Sequence, residues 1–375
     1  MLGLFNQVER APGECIVSID DQEISDLYPF LIEVSVDTSR EAAAEAVLKL
    51  ETRRDVDGSW VVQDDARIRP WKRLKIEAAF GETTEEVVRG YIREIQVEFP
   101  EDPGAAMATV TVQDESLLLD REHKRRAWGA DAPTTDGQIA QQIIGEASLV
   151  AEEPPALGQS DLNLNQDDTD AAFLKKRADA SGYELIYREG AVYFGPRRLE
   201  AEPQATIMVY AGPATNCIAF TVQDDGHMPD RVSFDVAAEE GDQALSRTLE
   251  PNLTLLGLEP ATSVETLDDG FVWRISREGE SDAANAETLA QEKANENSMK
   301  VRASGTLDGA RYGHALKVGL PVGVDGVGTR HGGTWYVDKV RHAFDLSGYR
   351  QEFELLRNAY GDNLETAANP LAAVV

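Results

Sequence analysis

Metal or acid–base chemistry would have to draw on the five histidines, His123, His227, His314, His331 and His342. None forms the HxH or HExxH spacing that places two imidazoles on one face of an element, and no pair falls at helical spacing. His331 and His342 are the one pair that neighbouring strands could bring together. The plain alternative is an exposed turn histidine and a hydrogen-bonded strand histidine. Cys15 and Cys217 are the only cysteines; they are too few for a disulfide framework, lack CxxC spacing, and read as two buried thiols. No GxSxG nucleophile elbow is present. Among 67 Asp and Glu residues, some pair will sit at glycosidase separation by chance, so no pair is informative. Gly323 to Gly328 is glycine-rich, yet it leads into strand-like sequence and offers no P-loop lysine, which makes it a hairpin loop. No catalytic residue, cofactor site or metal site is assigned, and the expectation is a protein that is not an enzyme.

Two basic clusters interleave with aromatics. Arg67, Arg69, Lys72, Arg73 and Lys75 surround Trp71, and Arg121, Lys124, Arg125 and Arg126 precede Trp128. Such clusters suit docking of an acidic partner or subunit, an ordinary solvated face, or stacking of single-stranded nucleic acid. The whole chain bears 36 Lys and Arg against 67 Asp and Glu, a formal charge of −31, which disfavours a polyphosphate partner and favours partner docking. With 42% apolar and 27% charged residues, the 375-residue chain has ordinary globular composition and room for two or three cores.

The first part of the chain reads as strands. Cys15 to Asp20, Pro29 to Asp37, Leu48 to Arg53, Leu74 to Phe80, Val87 to Phe99 and Ala106 to Gln113 are β-rich runs. Glu41 to Thr52 has helix-forming composition, but Ala44, Ala46, Leu48, Leu50 and Thr52 alternate in period two, so its second half is read as strand. Asp57-Gly58 predicts a hairpin turn returning through Trp60 to Val62. After the mixed-charge connector Asp120 to Arg126, Thr134 or Thr135 caps a helix bearing Ile139, Ile143 and Ala147. Asp168 or Thr169 caps a second, in which Phe173, Leu174 and Ala178 form the buried stripe and Gly182 is the left-handed stop. Tyr183, Leu185 and Tyr187 then enter a hairpin that turns at Glu189-Gly190 and returns through Val192 and Phe194.

Ile207 to Tyr210 and Cys217 to Val222 begin further strands. Asp224 to Glu280 turns acidic and loses clear periodicity, which reads as an insertion. Ser281 to Met299 predicts a helix whose Ala283, Ala286, Ala290 and Ala294 form a close-packing face. Val301 to Leu307, Ala315 to Val324, Trp335 to Phe344 and Tyr349 to Leu356 return to strand rhythm. A polar, Ala-rich tail from Asn363 reads as mobile. No run approaches the length of a membrane span, and Glu9 and Arg10 interrupt the apolar N-terminus before a signal-peptide core forms, so synthesis in the bacterial cytoplasm without membrane insertion is expected.

Residues Asp168 to Gly195 resemble the capped helix, Gly-Tyr turn and aromatic hairpin of the phage late control protein D family, the baseplate hub of contractile tails, related to the N-terminal part of VgrG spikes. The strand around Gly90 and Ile92, the helix from Thr135 to Leu149, and the closing strands carrying Trp335, His342 and Tyr349 agree in order. The resemblance implies a mainly β fold with α+β parts: two tube-forming, antiparallel, barrel-like domains at 1–118 and at 201–225 with 300–358. An α+β domain at 119–200, an acidic insertion with a helix at 226–299 and a tail at 359–375 complete the chain. It further implies a homotrimer forming a pseudo-sixfold ring between a hexameric tail tube and a trimeric spike on a separate chain. Baseplate wedge components would lie around the ring, and DNA or protein cargo would pass through a negatively charged lumen without specific binding. Residence would be the baseplate of a phage virion or contractile injection particle. Gly90, Phe173, Leu174, Gly182, Tyr183, Trp335, His342 and Tyr349 would hold fold and ring, and Arg67 to Lys75 with Trp71 would dock a partner. Alternatives are another tube-initiating or distal tail component, or a β-rich hydrolase or carbohydrate-binding protein.

Overall fold

The computed structural model describes residues 10–236, 245–262, 270–275 and 283–364. The signal-peptide reading of residues 1–9, part of the acidic stretch, the Ala283 and Ala286 side chains, and the tail from 365 lie outside the described residues.

The chain opens with β1 (Glu14–Ile19), β2 (Gln22–Glu23), β3 (Leu31–Ser39), β4 (Glu45–Glu51), β5 (Arg73–Phe80), β6 (Thr83–Glu98) and β7 (Met107–Asp114). An α+β stretch follows: β8 (His123–Trp128), α1 (Asp136–Glu146), β9 (Val150–Ala151), β10 (Leu164–Thr169), α2 (Asp170–Ser181), β11 (Glu184–Arg188) and β12 (Ala191–Gly195). Next come β13 (Gln204–Met208), β14 (Cys217–Asp224), β15 (Arg231–Val236), β16 (Leu245–Leu249), β17 (Glu259–Pro260) and β18 (Val272–Arg274). The last part holds α3 (Ala283–Ser298), β19 (Val301–Asp308), the one-turn α4 (Gly309–Tyr312), β20 (Pro321–Asp325), β21 (Gly333–Asp345), β22 (Gly348–Arg357) and β23 (Ala359–Tyr360).

The fold is β-rich with a small helical part, as the sequence implies. One 13-stranded sheet runs β14-β19-β22-β21-β3-β4-β7-β6-β5-β1-β2, with β20 joined to β21 and β13 to β20. The two strand groups therefore share a sheet, joined where Val34–Ser39 of β3 lies antiparallel to Lys339–Phe344 of β21. Period-two alternation sets its two faces. One row across the strands, Leu307, Gln351, His342, Val36, Ala46, Val112 and Ile92, is buried throughout. The adjacent row, Thr306, Glu352, Arg341, Asp37, Glu45 and Gln113, faces solvent. Under the buried face lie two hydrophobic cores, one around Val36, Leu48, Ile76 and Val112 and one around Val301, Leu307, Trp335 and Phe353.

A third core belongs to the α+β stretch, where Ile139, Ile143, Phe173, Leu174, Val192 and Phe194 pack together. Thr135 makes the capping box of α1 with Gln138, and Thr169 caps α2 by accepting from the Ala172 N–H. In the acidic stretch, β15 pairs with both β16 and β18, and Val232 and Phe234 pack on Ala290 and Ala294 of α3. That small-residue helix face works at the two positions the structure describes.

Four local readings need correction. Trp60 forms only an isolated bridge with Arg54, because Asp57 and Asp64 hold the segment in turns by accepting from the Ser59 and Trp60 N–H groups. The mixed-charge connector contains β8, paired with the equally unforeseen β10. The strand expected from Ala315 begins only at Pro321, since the Ala315, Leu316 and Lys317 N–H groups donate to the side chains of Glu85, Gln351 and Gln204 instead of to a ladder. The tail does not begin at 359: Ala359 is buried and β23 pairs with β17.

Candidate functional site

The motif positions occupy structurally demanding places. Gly90 lies where β6 crosses β7 at close range: a Cβ there would stand 1.9 Å from the Gln113 carbonyl oxygen, so only glycine fits without moving the backbone. Gly182 ends α2 at φ 63°, ψ 28°, and the Tyr183 N–H donates back to the Ala178 carbonyl at 2.8 Å. The Tyr183 hydroxyl accepts from the Gly158 N–H, and its ring meets the edge of Phe194. Phe173 stacks on Trp128 with ring centroids 6.2 Å apart, and Leu174 is fully buried beside them. Trp335 is buried, donates its indole N–H to the His331 carbonyl at 2.9 Å, and packs against Phe220.

His342 and Tyr349 meet across β21 and β22. The imidazole Nδ1 lies 2.8 Å from the Tyr349 hydroxyl, and the ring planes stack. Burial lowers the His342 pKa to about 3, which keeps the ring neutral. His331 is elsewhere engaged, with Nε2 at 3.3 Å from Asp224. The two histidines do not share a site, and among the described residues no group of three His, Cys, Asp or Glu is placed to hold a metal. Both cysteines are free thiols, and burial raises the Cys217 thiol to about 11.

The basic clusters are already engaged within the chain. Arg67 bridges Asp26 and Asp65, Lys72 pairs with Asp20, Arg73 lies 3.5 Å from Glu115, and Lys75 pairs with Glu77 at 2.9 Å. Arg69 donates to the carbonyls of Gln63, Asp65 and Ile68. Hydrogen bonds from Lys72 and Arg67 hold the Asp20 and Asp26 carboxyls below their usual range. Trp71, at φ 70°, keeps 51% of its surface exposed, with Arg121 over its ring at 5.8 Å. In the second cluster Lys124, Arg125 and Arg126 pair with Asp170, Asp167 and Glu146. Trp128 is a core residue at 5% exposure, so it offers no face for stacking a base.

A junction that the sequence does not signal ties the three cores together. Arg40, just past β3, donates from Nη1 to Glu184 at 2.9 Å and from Nε to Asp338 at 2.7 Å. The Tyr336 hydroxyl donates to the other Glu184 oxygen at 2.7 Å. The Arg40 and Glu184 side chains are 4% and 3% exposed. Burial alone would lower the Arg40 pKa; the two carboxylates overcome this and hold it above its ordinary value. Arg40, Glu184 and the Tyr336–Asp338 pair are ordinary residues in sequence, the three places separated by more than a hundred positions, so no motif could have found the set.

Polar staples and cores thus hold a broad sheet whose polar face is open. The chain belongs to the Alg8 N-terminal domain family, whose sequence profile matches residues 12–345. No protein with a curated description is similar to it in sequence. Its fold is similar to that of a 43 kDa tail protein of prophage MuSo2 from Shewanella oneidensis, at 13% identity and TM-score 0.68, covering 92% of this chain and 98% of that one. A tail protein from Neisseria meningitidis is similar at 13% identity and TM-score 0.62, over 92% and 96% of the two chains. The c3393 protein of E. coli, a component of the type VI secretion system that resembles bacteriophage T4 tail proteins, matches at 11% identity and TM-score 0.54, over 93% and 79%. The shared property is the tail-protein fold. Among the described residues, no helix is long and apolar enough to cross a membrane.

Proposed function

We propose that this chain is a structural component of a contractile tail or injection particle, and within it the baseplate hub that the resemblance to the late control protein D family implies. Three chains close a ring in which each contributes two strand groups. The ring then presents six similar units to a hexameric tail tube and threefold symmetry to a trimeric spike protein on a separate chain. Baseplate wedge components bind its outside, and DNA or protein cargo passes through the lumen. The observation that carries this reading is the continuous sheet, in which two strand groups with their own cores expose one common polar face. The tail proteins and the secretion component that share the fold support the setting.

We place the polar sheet face toward the lumen. Along one row Glu352, Arg341, Asp37 and Glu45 set three carboxylates against one cation, so this row is mixed in charge with a negative excess. Such a surface repels rather than holds an anionic cargo. The role rests on shape and symmetry and asks for no catalytic group. Native mass spectrometry of the chain, alone and co-expressed with its spike partner, tests the reading. A three-chain species, free or spike-bound, is expected; a strict monomer in both samples overturns the hub.

A further inference from the structure

The sheet has two open ends that match each other. The strands β14, β19, β22, β21, β3, β4, β7 and β6 stand eight in a row, each antiparallel to the next. At one end, β14 bonds to β19 on one side and, among the described residues, to no strand on the other. At the other end, β6 outruns its outer neighbour. Its first half pairs with β5 as far as Tyr91, and Ile92 still bonds to the Trp71 N–H and the Lys72 carbonyl. Beyond that point residues 93–98 pair with β7 alone among the described residues.

Both ends leave a core half covered. Phe220 and Val222 of β14 pack against the second core but are only partly buried, and Ile218 beside them is 59% exposed. Ile95 and Val97 of β6 pack against the first core in the same partly buried way. On the opposite face Ala219, Thr221 and Gln223 of β14 and Glu94, Gln96 and Glu98 of β6 are exposed. Free edges are commonly protected by lysine, proline or an inward-pointing charge. Residues 217–223 carry none of these. The charges near the two ends are also complementary. Arg302, exposed on β19 opposite Gln223, forms no ion pair among the described residues, and neither does the exposed Glu94.

We propose that β14 of one chain adds to residues 93–98 of β6 in a second copy, antiparallel and head to tail. This rests on the ring reading above and names the strands that close it. Direction follows from the alternation: the first and last of eight antiparallel strands run opposite ways, and rotation about the ring axis leaves the sense of each strand unchanged. The pleat carries both faces across the junction, so Phe220 and Val222 cover Ile95 and Val97 while the polar face stays continuous. In this arrangement the Gln223 end of β14 lies toward the Glu94 end of β6, and Arg302 comes within reach of the second copy's Glu94. Each chain offers one end of each kind, which makes the contact heterologous and lets a ring close.

Disulfide trapping in the full chain, co-expressed with its spike partner, tests the pairing. Facing residues on antiparallel strands have Cα atoms about 4.5 to 5.5 Å apart, within the span of a disulfide. Double variants combine Ala219→Cys, Thr221→Cys or Gln223→Cys with Glu94→Cys, Gln96→Cys or Glu98→Cys, all at exposed positions of the polar face. The parent chain controls for Cys15 and Cys217. On oxidation at least one combination is expected to link chains covalently and reversibly by reductant, while each single variant stays unlinked. Arg302→Glu is expected to weaken association by about two- to fivefold, the range for one exposed ion pair, and added Glu94→Arg to restore it. Native mass spectrometry of the same samples separates the pairing from the hub. Three-chain assemblies in which no combination links overturn the pairing and leave the hub standing. Linked chains that run on past three support the pairing and overturn the threefold ring. Links formed by a single β14 variant alone, or unchanged association in Arg302→Glu, overturn the pairing, and a strict monomer overturns both.

Discussion

The two strand groups of the shared sheet are held in different ways. The first, β1 to β7, comes from one continuous stretch of chain, and its core is aliphatic, with Val34, Val36, Leu48, Leu50, Ile76, Ile92 and Val110 all essentially buried. The second is gathered from β13 and β14 and then, after the acidic stretch, β19 to β22. Its interior contains fully buried Gln351 and Arg357. Gln351 accepts from the Leu316 N–H at 2.7 Å and donates to the His314 carbonyl at 2.8 Å; Arg357 donates to the Leu256 and Gly361 carbonyls. Apolar burial is non-directional and suffices where short hairpins already set register. Segments brought from far along the chain need directional bonds to fix their seating, and the second group supplies them.

The sharpest break in this comparison is at the seam. Arg40→Ala leaves Glu184 and Asp338 without their cation at a buried site and should cost about 3 to 5 kcal/mol in urea unfolding. A loss below about 1 kcal/mol would mean that the network does not hold the cores together. Within the groups, Leu48→Ala should cost about 2 to 5 kcal/mol through the cavity it leaves. Gln351→Leu keeps apolar volume but strands a donor and an acceptor, each worth about 1 to 3 kcal/mol when buried and unpaired. If Gln351→Leu proves neutral, the second core is held by burial like the first.

Acid titration separates the groups by sign. The His342 pKa is lowered by burial from 6.5 to about 3, so its contribution is complete above pH 6.5 and lost as the pH falls toward 3. Each pH unit in that window removes about 1.4 kcal/mol. Asp114, at the end of β7, behaves oppositely. Burial raises its pKa from 3.8 to about 6, so the cost of its buried charge is full above pH 6 and relieved as the pH falls toward 4. The stability difference between the parent chain and His342→Gln should therefore shrink on acidification, and that between the parent and Asp114→Asn should move the other way. Parallel slopes would refute the contrast. The smallest effect is expected at the surface: Trp71→Ala should change stability by no more than about 0.5 kcal/mol. If Trp71 docks a partner, the same variant weakens particle assembly, and normal assembly removes the docking role.

Much of the local structure is legible in sequence. Phe173, Leu174, Ala178 and Gly182 mark α2 and its stop, and the alternation from Tyr349 to Leu355 marks β22, because spacing within a few residues decides which face is apolar. β8 and β10 stay hidden because their charged residues mask the alternation. They pair by opposite charge instead, with Arg125 facing Asp167 and Lys124 facing Asp168 across the strands. The basic cluster around Trp71 is equally visible, but its neutralisation depends on Asp20, Asp26 and Glu115, which lie outside the cluster in sequence.

By itself, then, the amino-acid order determines the elements: strands by period two, helices by caps and apolar stripes, turns by glycine and aspartate. Only the tertiary structure decides that β3 joins β21, where the Thr38 hydroxyl donates to the Val340 carbonyl across 302 positions. It alone sets Arg40 between Glu184 and Asp338. The reason is physical: propensity and periodicity act among near neighbours, whereas pairing of distant edges and satisfaction of buried polar groups depend on the closed, packed chain as a whole.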